Sequence, residues 1–203
     1  MIPRKELPKI VYKNPHNYVY QQNVNFGSFE KNYYVTHCSD KAGVLVLRDE
    51  SVLLIRQYRL LVDGLAWEIP GGKIDGGVTP EQTAIQECAE EAKINCWNLK
   101  PLLHYLQGLD AIYTNAHMFY TYDSKEEEFI PDPREVVSRH WVVFDQCVEM
   151  IRKGEINDSF TILALLSYGF FHHQGYSKSK KTKSKKMTIR RNSVGQIGSM
   201  GGS

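Results

Sequence analysis

The stretch Trp67–Ile94 reads WEIPGGKIDGGVTPEQTAIQECAEEAKI. Its first half contains four glycines, all of them within Pro70–Gly77. Its second half has the composition of a short helix, in which Thr79 and Gln82 have the spacing of a capping box and Pro80 suits the first helical position. The sequence therefore predicts a helix that follows directly on a glycine-rich turn.

The predicted helix, Pro80–Lys93, carries charged and apolar side chains on different faces. At about 100° per residue, Glu87, Glu90 and Glu91 share an arc of roughly 100°. A separate apolar stripe can pack on a sheet. It consists of Ala84, Ile85, Cys88, Ala89 and Ala92.

The three glutamates need an explanation, because like charges three and four residues apart on a helix repel by a few tenths of a kcal/mol per pair. A solvated acidic surface is one explanation. The glycine-rich turn favours another, a bound cation, because it brings backbone carbonyls close to the carboxylates. Carboxylate and carbonyl oxygens are the ligands that Mg²⁺ or Mn²⁺ prefers. The stretch therefore predicts a divalent metal site.

Segments rich in β-forming residues and separated by turn residues predict strands on both sides of this stretch. The predicted strands are Tyr18–Phe26, Lys31–His37, Ala42–Leu47, Ser51–Arg59, Leu102–Leu106, His117–Tyr122 and Ser138–Val143. Two further helices are predicted at Phe144–Lys153 and Ser159–Phe171. Strands flanked by helices on both sides form an α/β sandwich.

Composition is typical of a soluble globular protein, with 42% hydrophobic and 24% charged residues in a chain of 203. The longest apolar-rich stretch, Phe160–Phe171, is too short to cross a bilayer, and Met1–Lys5 leads into no apolar segment of a signal peptide. The four cysteines form no C-x-x-C pair, which argues against a zinc cage or a secreted disulfide framework. We therefore expect a cytoplasmic protein that contacts no membrane.

The formal net charge of +2 hides an uneven distribution. From Ser177 onward the chain has eight basic residues and no acidic one, whereas the 17 basic residues before it are outnumbered by 23 acidic ones. The tail is typical of a disordered, low-complexity segment. We therefore divide the chain into N-terminal strands (1–40) that could dimerise, a main domain (41–175) and a basic tail (176–203). The tail could contact nucleic acid, and a purely solubilising role is the alternative.

The quoted stretch resembles the signature of the Nudix hydrolases, G-x5-E-x7-R-E-U-x-E-E-x-G-U, in which U is a bulky aliphatic residue. When the first glycine is placed at Gly72, the last three glutamates of the signature fall on Glu87, Glu90 and Glu91. Four positions depart from the signature: Val78 replaces its first glutamate, Gln86 its arginine, Cys88 an aliphatic residue and Lys93 its last glycine. We expect fewer metal ions or weaker metal binding as a result, with the fold unchanged.

Three segments are similar to the ADP-ribose and nucleoside-diphosphate-sugar pyrophosphatases of this family: LIRQYR (54–59), WEIPGGKID (67–75) and GEINDSFTILALL (154–166). This resemblance implies a Nudix-type α/β/α sandwich with a mixed sheet, preceded by N-terminal β-strands. It also implies a homodimer to which the N-terminal strands contribute.

The resemblance further implies a metal-dependent pyrophosphatase that acts on a nucleoside diphosphate linked to another moiety. ADP-ribose or a nucleotide sugar is the expected substrate, giving a nucleoside monophosphate and a phosphorylated product. The loop Gln107–His117 lacks the proline that often follows the signature in ADP-ribose enzymes, so the exact substrate stays open. A dinucleotide polyphosphate or cap-like compound is an alternative substrate. A non-catalytic regulator that binds a nucleotide sugar is another alternative, favoured by Val78 and Gln86 and opposed by the complete set of three glutamates.

Roles for individual residues follow from the same resemblance. Glu87, Glu90 and Glu91, with the carbonyl of Gly71, are expected to hold Mg²⁺ or Mn²⁺, and the three glutamates are expected to act in catalysis. In the acidic loop 126–142, Glu135 is the best match to a further catalytic carboxylate, with Asp132 and Glu126–Glu128 as rivals. The residues expected to bind substrate are Arg56, Arg59, Trp67 and Glu68. Salt bridges at strand edges are the alternative for the two arginines.

Overall fold

A computed structural model describes residues 2–130 and 136–172 of the chain. The chain divides into two compact units, residues 1–168 and residues 169–203. Of the second unit, residues 169–172 are described, as the last residues of a helix. The sheets, the packed core and the cleft all belong to the first unit. The domain boundaries predicted at residues 40 and 175 stay predictions.

The described residues form fourteen strands and three helices. The strands are β1 (Arg4–Lys5), β2 (Lys9–Lys13), β3 (Asn17–Asn25), β4 (Glu30–Cys38), β5 (Lys41–Arg48), β6 (Ser51–Arg59), β7 (Gly64–Glu68), β8 (Gly71–Lys73), β9 (Ile94–Trp97), β10 (Lys100–Leu106), β11 (Ile112–Tyr113), β12 (Asn115–Thr121), β13 (Asp123–Glu126) and β14 (Val136–Val143). The helices are α1 (Pro80–Ala92), α2 (Phe144–Arg152) and α3 (Ser159–His172). All seven predicted strands and all three predicted helices are confirmed, with ends that differ by at most two residues.

The N-terminal strands form a sheet of their own, with strand order β1-β3-β4-β11 and with β2 also paired to β3. β3 and β4 are antiparallel over their whole length, and the turn between them contains Gly27, whose φ of 91° suits glycine. The sequence does not predict β1 and β2, because both are short and every residue in them is exposed. Neither strand has the buried face that produces an alternating pattern.

The second sheet is mixed and has strand order β10-β12-β5-β6-β14, with β7 paired to β6 and β8 paired to β5. β12 and β5 are parallel, whereas the other pairs are antiparallel. β5 pairs with β6 at Leu47–Arg48, beside their connecting turn, and with β8 at Lys41–Gly43. The two long strands therefore separate away from the hairpin turn, and the glycine-rich turn lies beside the first residues of β5.

Side chains alternate along β5 and divide the core into two layers. Ala42, Val44 and Val46 pack with the apolar stripe of α1. Leu45 and Leu47 point to the opposite face and pack with α2 and α3. The predicted α/β/α sandwich with a mixed sheet and preceding N-terminal strands is confirmed.

The four cysteines form no disulfide, and Cys88, Cys96 and Cys147 are buried. Burial raises the pKa of Cys147 to about 12, so this thiol stays protonated at neutral pH. Within the part of the chain that the structure describes, no helix is both long enough and apolar enough to cross a membrane.

Candidate active site

A cleft of about 240 Å³ lies where the glycine-rich turn meets α1 and the start of α3. It brings together five of the predicted site residues: Arg59, Glu68, Gly71, Glu87 and Glu91. Further charged residues that line it are Lys41, Lys73 and Asp158. Both cations and carboxylates therefore face the same small space.

Two glycines allow neighbouring elements to approach the turn: Gly72 admits α1, and Gly71 admits β5. A Cβ atom at Gly72 would lie 2.1 Å from Oε1 of Glu87, and one at Gly71 would lie 2.6 Å from the carbonyl oxygen of Ala42. Neither position has room for a side chain unless a neighbour moves. Gly72 thus lets the carboxylate of Glu87 lie directly over the backbone of the turn.

Glu91 is held at the turn by hydrogen bonds from two directions. Its Oε2 accepts from the N–H of Gly71 at 2.9 Å, and its Oε1 accepts from Nε2 of Gln57 at 3.3 Å. Burial raises the pKa of Glu91 to about 7; the charge of Glu87 adds to the rise, whereas both hydrogen bonds and the charge of Arg59 oppose it. A cation placed beside these carboxylates would therefore stabilise the site.

Gln57 links the carboxylates of Glu91 and Glu68. Its amide also donates to Oε2 of Glu68 at 3.3 Å, and Gln57 and Glu68 are 6% and 9% exposed. Arg59 holds Glu68 from the other side through Nε and Nη2, at 2.7 Å and 2.6 Å. These bonds raise the pKa of Arg59 above its usual value. A continuous chain of contacts therefore connects Arg59, at the end of β6, with Glu91 on α1.

Glu90 takes a different position on α1. Its side chain is exposed, and its Oε1 accepts a hydrogen bond from Nε2 of Gln86 at 2.8 Å. Among the described residues that line the cleft, α1 contributes Glu87 and Glu91. The structure thus brings two of the three predicted glutamates together, and the metal role of Glu90 stays a prediction.

Arg56 and Trp67 lie on the other face of the sheet. They are paired across β6 and β7, and the guanidinium carbon of Arg56 is 4.8 Å from the centre of the Trp67 ring. Arg56 also donates to the carbonyl of Leu65 at 3.2 Å. Because side chains alternate along a strand, this pair points away from Gln57 and Arg59. Substrate binding by Arg56 and Trp67 stays a prediction.

The acidic loop before β14 is described in part. Glu135 and Asp132, its two candidate catalytic carboxylates, lie outside the described residues. Glu126 forms an ion pair with Arg48 and accepts from Nη2 of Arg139 at 2.9 Å. The hydrogen bond from Arg48 holds the pKa of Glu126 below its usual range. The Glu126 carboxylate is thus paired with two arginines, and a catalytic role for a carboxylate of this loop stays a prediction.

A family model described as NUDIX domain matches residues 39–164 of this chain. The chain belongs to the Nudix family. This Nudix protein is 30% identical over 129 residues to a CMP-5'-(N-acetyl-N-hydroxy-3-aminopropyl)phosphonate hydrolase of Streptomyces rubellomurinus, and the match covers 62% of each chain. It is 24% identical over 141 residues to an ADP-ribose pyrophosphatase of Bacillus subtilis, and that match covers 68% of this chain and 76% of the relative.

The fold of this Nudix protein also occurs in the crystal structure of an ADP compounds hydrolase. The comparison gives a TM-score of 0.71 at 16% identity and covers 89% of this chain and 96% of that one. This shared fold confirms the predicted Nudix-type sandwich. Membership of the Nudix family, with hydrolases among the relatives, supports the predicted Nudix enzyme. At the level of the family, the findings support hydrolysis of compounds that contain a linked nucleoside diphosphate.

The departures from the Nudix signature leave α1 intact. Thr79 and Gln82 form the predicted capping box at its start. At its end, Lys93 takes the left-handed conformation, with φ 52° and ψ 43°, that favours glycine. Cys88 is fully buried against the sheet, in the position of an aliphatic residue. The helix therefore forms in spite of the changes, at the cost of backbone strain at Lys93.

Arg139 of β14 secures the C-terminal end of α1. Its Nη1 donates to the carbonyl oxygens of Ala92 at 2.7 Å and Lys93 at 3.2 Å, while its Nη2 bonds Glu126. A positive charge is favourable at the C-terminus of a helix, because the unpaired carbonyls there carry partial negative charge. Arg139 thus fixes the end of the helix that carries Glu91.

The donors in the cleft fit a divalent cation that takes some of its ligands from water and substrate. Within residues 2–130 and 136–172, no group of three or more His, Cys, Asp or Glu side chains is arranged to hold a metal ion. Glu87 and Glu91 nevertheless place two hard oxygen donors at one cleft. Mg²⁺ usually keeps several waters and binds through one or two carboxylates plus substrate phosphates. This donor set therefore suits Mg²⁺ or Mn²⁺ without distinguishing between them.

Proposed function

We propose that this Nudix protein hydrolyses the pyrophosphate bond of ADP-ribose or a nucleotide sugar, with Mg²⁺ or Mn²⁺ as cofactor. The products are a nucleoside monophosphate and a second phosphorylated compound. The observation that carries the proposal is the meeting of Glu87 and Glu91 with the glycine-rich turn in one cleft. The similarity to an ADP-ribose pyrophosphatase and to a CMP-phosphonate hydrolase supports a substrate in which phosphorus joins a nucleoside to another group.

The charges in the cleft suit this chemistry. Hydrolysis of a pyrophosphate requires neutralisation of two phosphoryl groups and a water aligned with the phosphorus. A divalent metal held by Glu87 and Glu91 would supply positive charge and lower the pKa of a bound water. Lys41, Arg59 and Lys73 also line the cleft and can attract the phosphate oxygens.

Further roles are proposed from the family resemblance. Glu90 and the carbonyl of Gly71 would complete the metal ligands supplied by the protein, and Glu135 would act as an additional catalytic carboxylate. Arg56, Arg59, Trp67 and Glu68 would contact the substrate. In the structure, Arg59 and Glu68 already form a salt bridge at the cleft, so the substrate would meet this pair as a unit.

An activity panel tests the proposal. Full-length protein is offered ADP-ribose, other nucleotide sugars, NADH and dinucleotide polyphosphates, with and without Mg²⁺, beside the variants Glu91→Gln and Glu81→Gln. Glu81 is an exposed glutamate in the first turn of the same helix and serves as the matched control. Metal-dependent turnover of ADP-ribose or a nucleotide sugar that is lost only in Glu91→Gln supports the proposal.

Other outcomes of the panel would replace it. Preferred turnover of dinucleotide polyphosphates would move the substrate class to that alternative. Tight binding without turnover would identify a nucleotide-sugar-binding regulator, the second candidate, which the loss of the signature glutamate at Val78 and of its arginine at Gln86 favours. A Glu90→Gln variant in the same panel tests whether the exposed glutamate takes part.

We also propose that the protein is a homodimer formed through its N-terminal strands. Several large apolar side chains of this sheet are exposed, among them Ile10 at 55%, Tyr12 at 57% and Tyr34 at 58%. Light scattering on the full-length protein measures the mass directly. A dimer that becomes monomeric in Ile10→Asp supports the proposal, and a monomer at tens of micromolar refutes it. Cytoplasmic location and a contact between the basic tail and nucleic acid stay predictions.

A further inference from the structure

The segment that leads into the glycine-rich turn is held by three different elements. The N–H of Ile69 donates to Oγ1 of Thr161 in α3 at 3.0 Å. The carbonyl of the next residue accepts from β5 at 3.1 Å, and the N–H of Gly71 donates to Glu91 of α1 at 2.9 Å. Three consecutive residues are thus fixed by α3, β5 and α1 in turn, and the last bond reaches a cleft carboxylate.

The contact from α3 depends on a single hydroxyl group. Thr161 is fully buried, and Ile69 is 2% exposed. The hydroxyl of Thr161 donates to Oδ2 of Asp158 at 2.7 Å, and the backbone N–H of Thr161 donates to the same oxygen at 2.8 Å. Because a hydroxyl has one hydrogen to donate and lone pairs that accept, its bond to Asp158 leaves a lone pair for Ile69. Asp158 therefore caps α3 and orients the hydroxyl at once.

We propose that Thr161 is a positioning residue for the hydrolysis. Its hydroxyl, oriented by Asp158, holds the backbone of Ile69–Gly71 where the N–H of Gly71 meets Glu91. Among the described residues that line the cleft, the start of α3 contributes Asp158 and Phe160, so Thr161 acts through the backbone and touches no substrate. The effect of Thr161 on kcat rests on the proposed function, whereas its contact with Ile69 does not.

Loss of the hydroxyl should affect catalysis more than substrate affinity. A misplacement of about 1 Å in a catalytic constellation can cost about 100-fold in rate. The turn keeps its bonds to β5 and α1 when the Thr161 contact is lost, so we expect a smaller effect, on the order of a tenfold lower kcat. KM should change little, because Arg59 and Glu68, which are proposed to contact the substrate, keep their ion pair.

The test compares Thr161→Val, which has the shape of threonine without its hydroxyl, with Thr161→Ser, which keeps the hydroxyl. Thr83→Val is the matched control: Thr83 is a buried threonine of α1 whose hydroxyl has no hydrogen-bond partner among the described residues. Each variant is assayed with the best substrate of the activity panel. Its kcat is calculated from the measured concentration of folded protein. We expect a lower kcat in Thr161→Val and near-normal kcat in Thr161→Ser and Thr83→Val.

Two results would overturn the proposal. One is a kcat in Thr161→Val that equals the wild-type value, and the other is a serine variant as impaired as the valine variant. Amide hydrogen exchange in the wild-type protein tests the contact directly, because it requires neither catalytic activity nor a folded variant. In the wild-type protein, the Ile69 amide should exchange as slowly as the amides of β6; exchange as fast as in an exposed loop refutes the contact itself. If the Ile69 amide exchanges slowly but the protein shows no activity, the contact is supported and the proposed function is wrong.

Discussion

Glu91 should make the metal-free protein lose stability as pH rises. Its pKa is raised from an ordinary value of 4.5 to about 7 in the folded protein. A carboxyl with a raised pKa stabilises the folded state fully below pH 4.5, and this contribution is lost as pH rises through 7. The change amounts to about 3 kcal/mol, since each pH unit corresponds to about 1.4 kcal/mol. The folded state loses stability mainly because the ionised Glu91 carboxylate is shielded from water, and the nearby charge of Glu87 adds to the effect.

The variant Glu91→Gln isolates the effect, because glutamine has the same size and cannot ionise. Its carbonyl oxygen can still accept the hydrogen bond from Gly71. In the presence of EDTA we expect the variant to be more stable than wild type by up to about 3 kcal/mol at pH 8 and nearly equal to it at pH 4.5. Urea denaturation at both pH values measures the difference, and Glu81→Gln is the control that should follow the wild type.

Adding Mg²⁺ at pH 8 should reverse the order. A ligand that binds only the folded state stabilises it by an amount that grows with ligand concentration, so wild type should gain stability and Glu91→Gln should gain much less. The stated role of the Glu91 charge is wrong if the stability difference between the two proteins does not vary with pH. It is also wrong if the variant is less stable than wild type at pH 8 in EDTA. Either result would mean that Glu91 is well compensated without a cation.

Three further substitutions test the frame around the cleft. Lys93→Gly relieves the left-handed backbone at the end of α1 and should stabilise the protein by about 1 kcal/mol in urea denaturation; a destabilised variant would show that the lysine side chain matters more than the strain. Gly72→Ala pushes a methyl group against the carboxylate of Glu87 and should lower kcat by about 100-fold, with circular dichroism unchanged; normal kcat would mean that Glu87 can move freely. Arg139→Met removes the cation from the end of α1 and leaves Glu126 with one arginine fewer. The free energy of unfolding should fall by about 3 kcal/mol. A loss below about 0.5 kcal/mol would show that Arg139 does not secure the helix.

The fold could be predicted from the sequence because its main signals are local. The capping box at Thr79 and the proline that follows it determine where α1 begins, and both act over a few residues. β5 and β6 are buried on both faces of the sheet, so both appear in the sequence as nearly continuous apolar runs. The exposed strands β1 and β2 have no such signal, so their pairing depends on β3 and could not be predicted.

Half of the candidate site could be predicted, and the other half depends on contacts between distant segments. Glu87 and Glu91 share a helix, so their spacing alone shows that they lie together. Gln57 is separated from Glu91 by 34 residues, and no local pattern marks it. Its position in β6 does give one clue, because alternation puts Gln57 on the face of Arg59 and puts Arg56 on the opposite face. The same rule would have separated Arg56 from the cleft.

The positions of the substitutions on α1 explain why an altered signature keeps an intact cleft. With Glu87 at 0° and about 100° per residue, Glu91 lies at about +40°, whereas Glu90, Gln86 and Lys93 lie between about −60° and −120°. Two changed residues, Gln86 and Lys93, therefore flank Glu90 on one side of the helix, where Gln86 donates a hydrogen bond to it. A third, Cys88, lies at about +100° in the buried apolar stripe. The two carboxylates that reach the cleft lie between these two sides. Because Glu90 is exposed to solvent and accepts a hydrogen bond, the repulsion that a cation would offset lies mainly between Glu87 and Glu91, beside the glycine-rich turn.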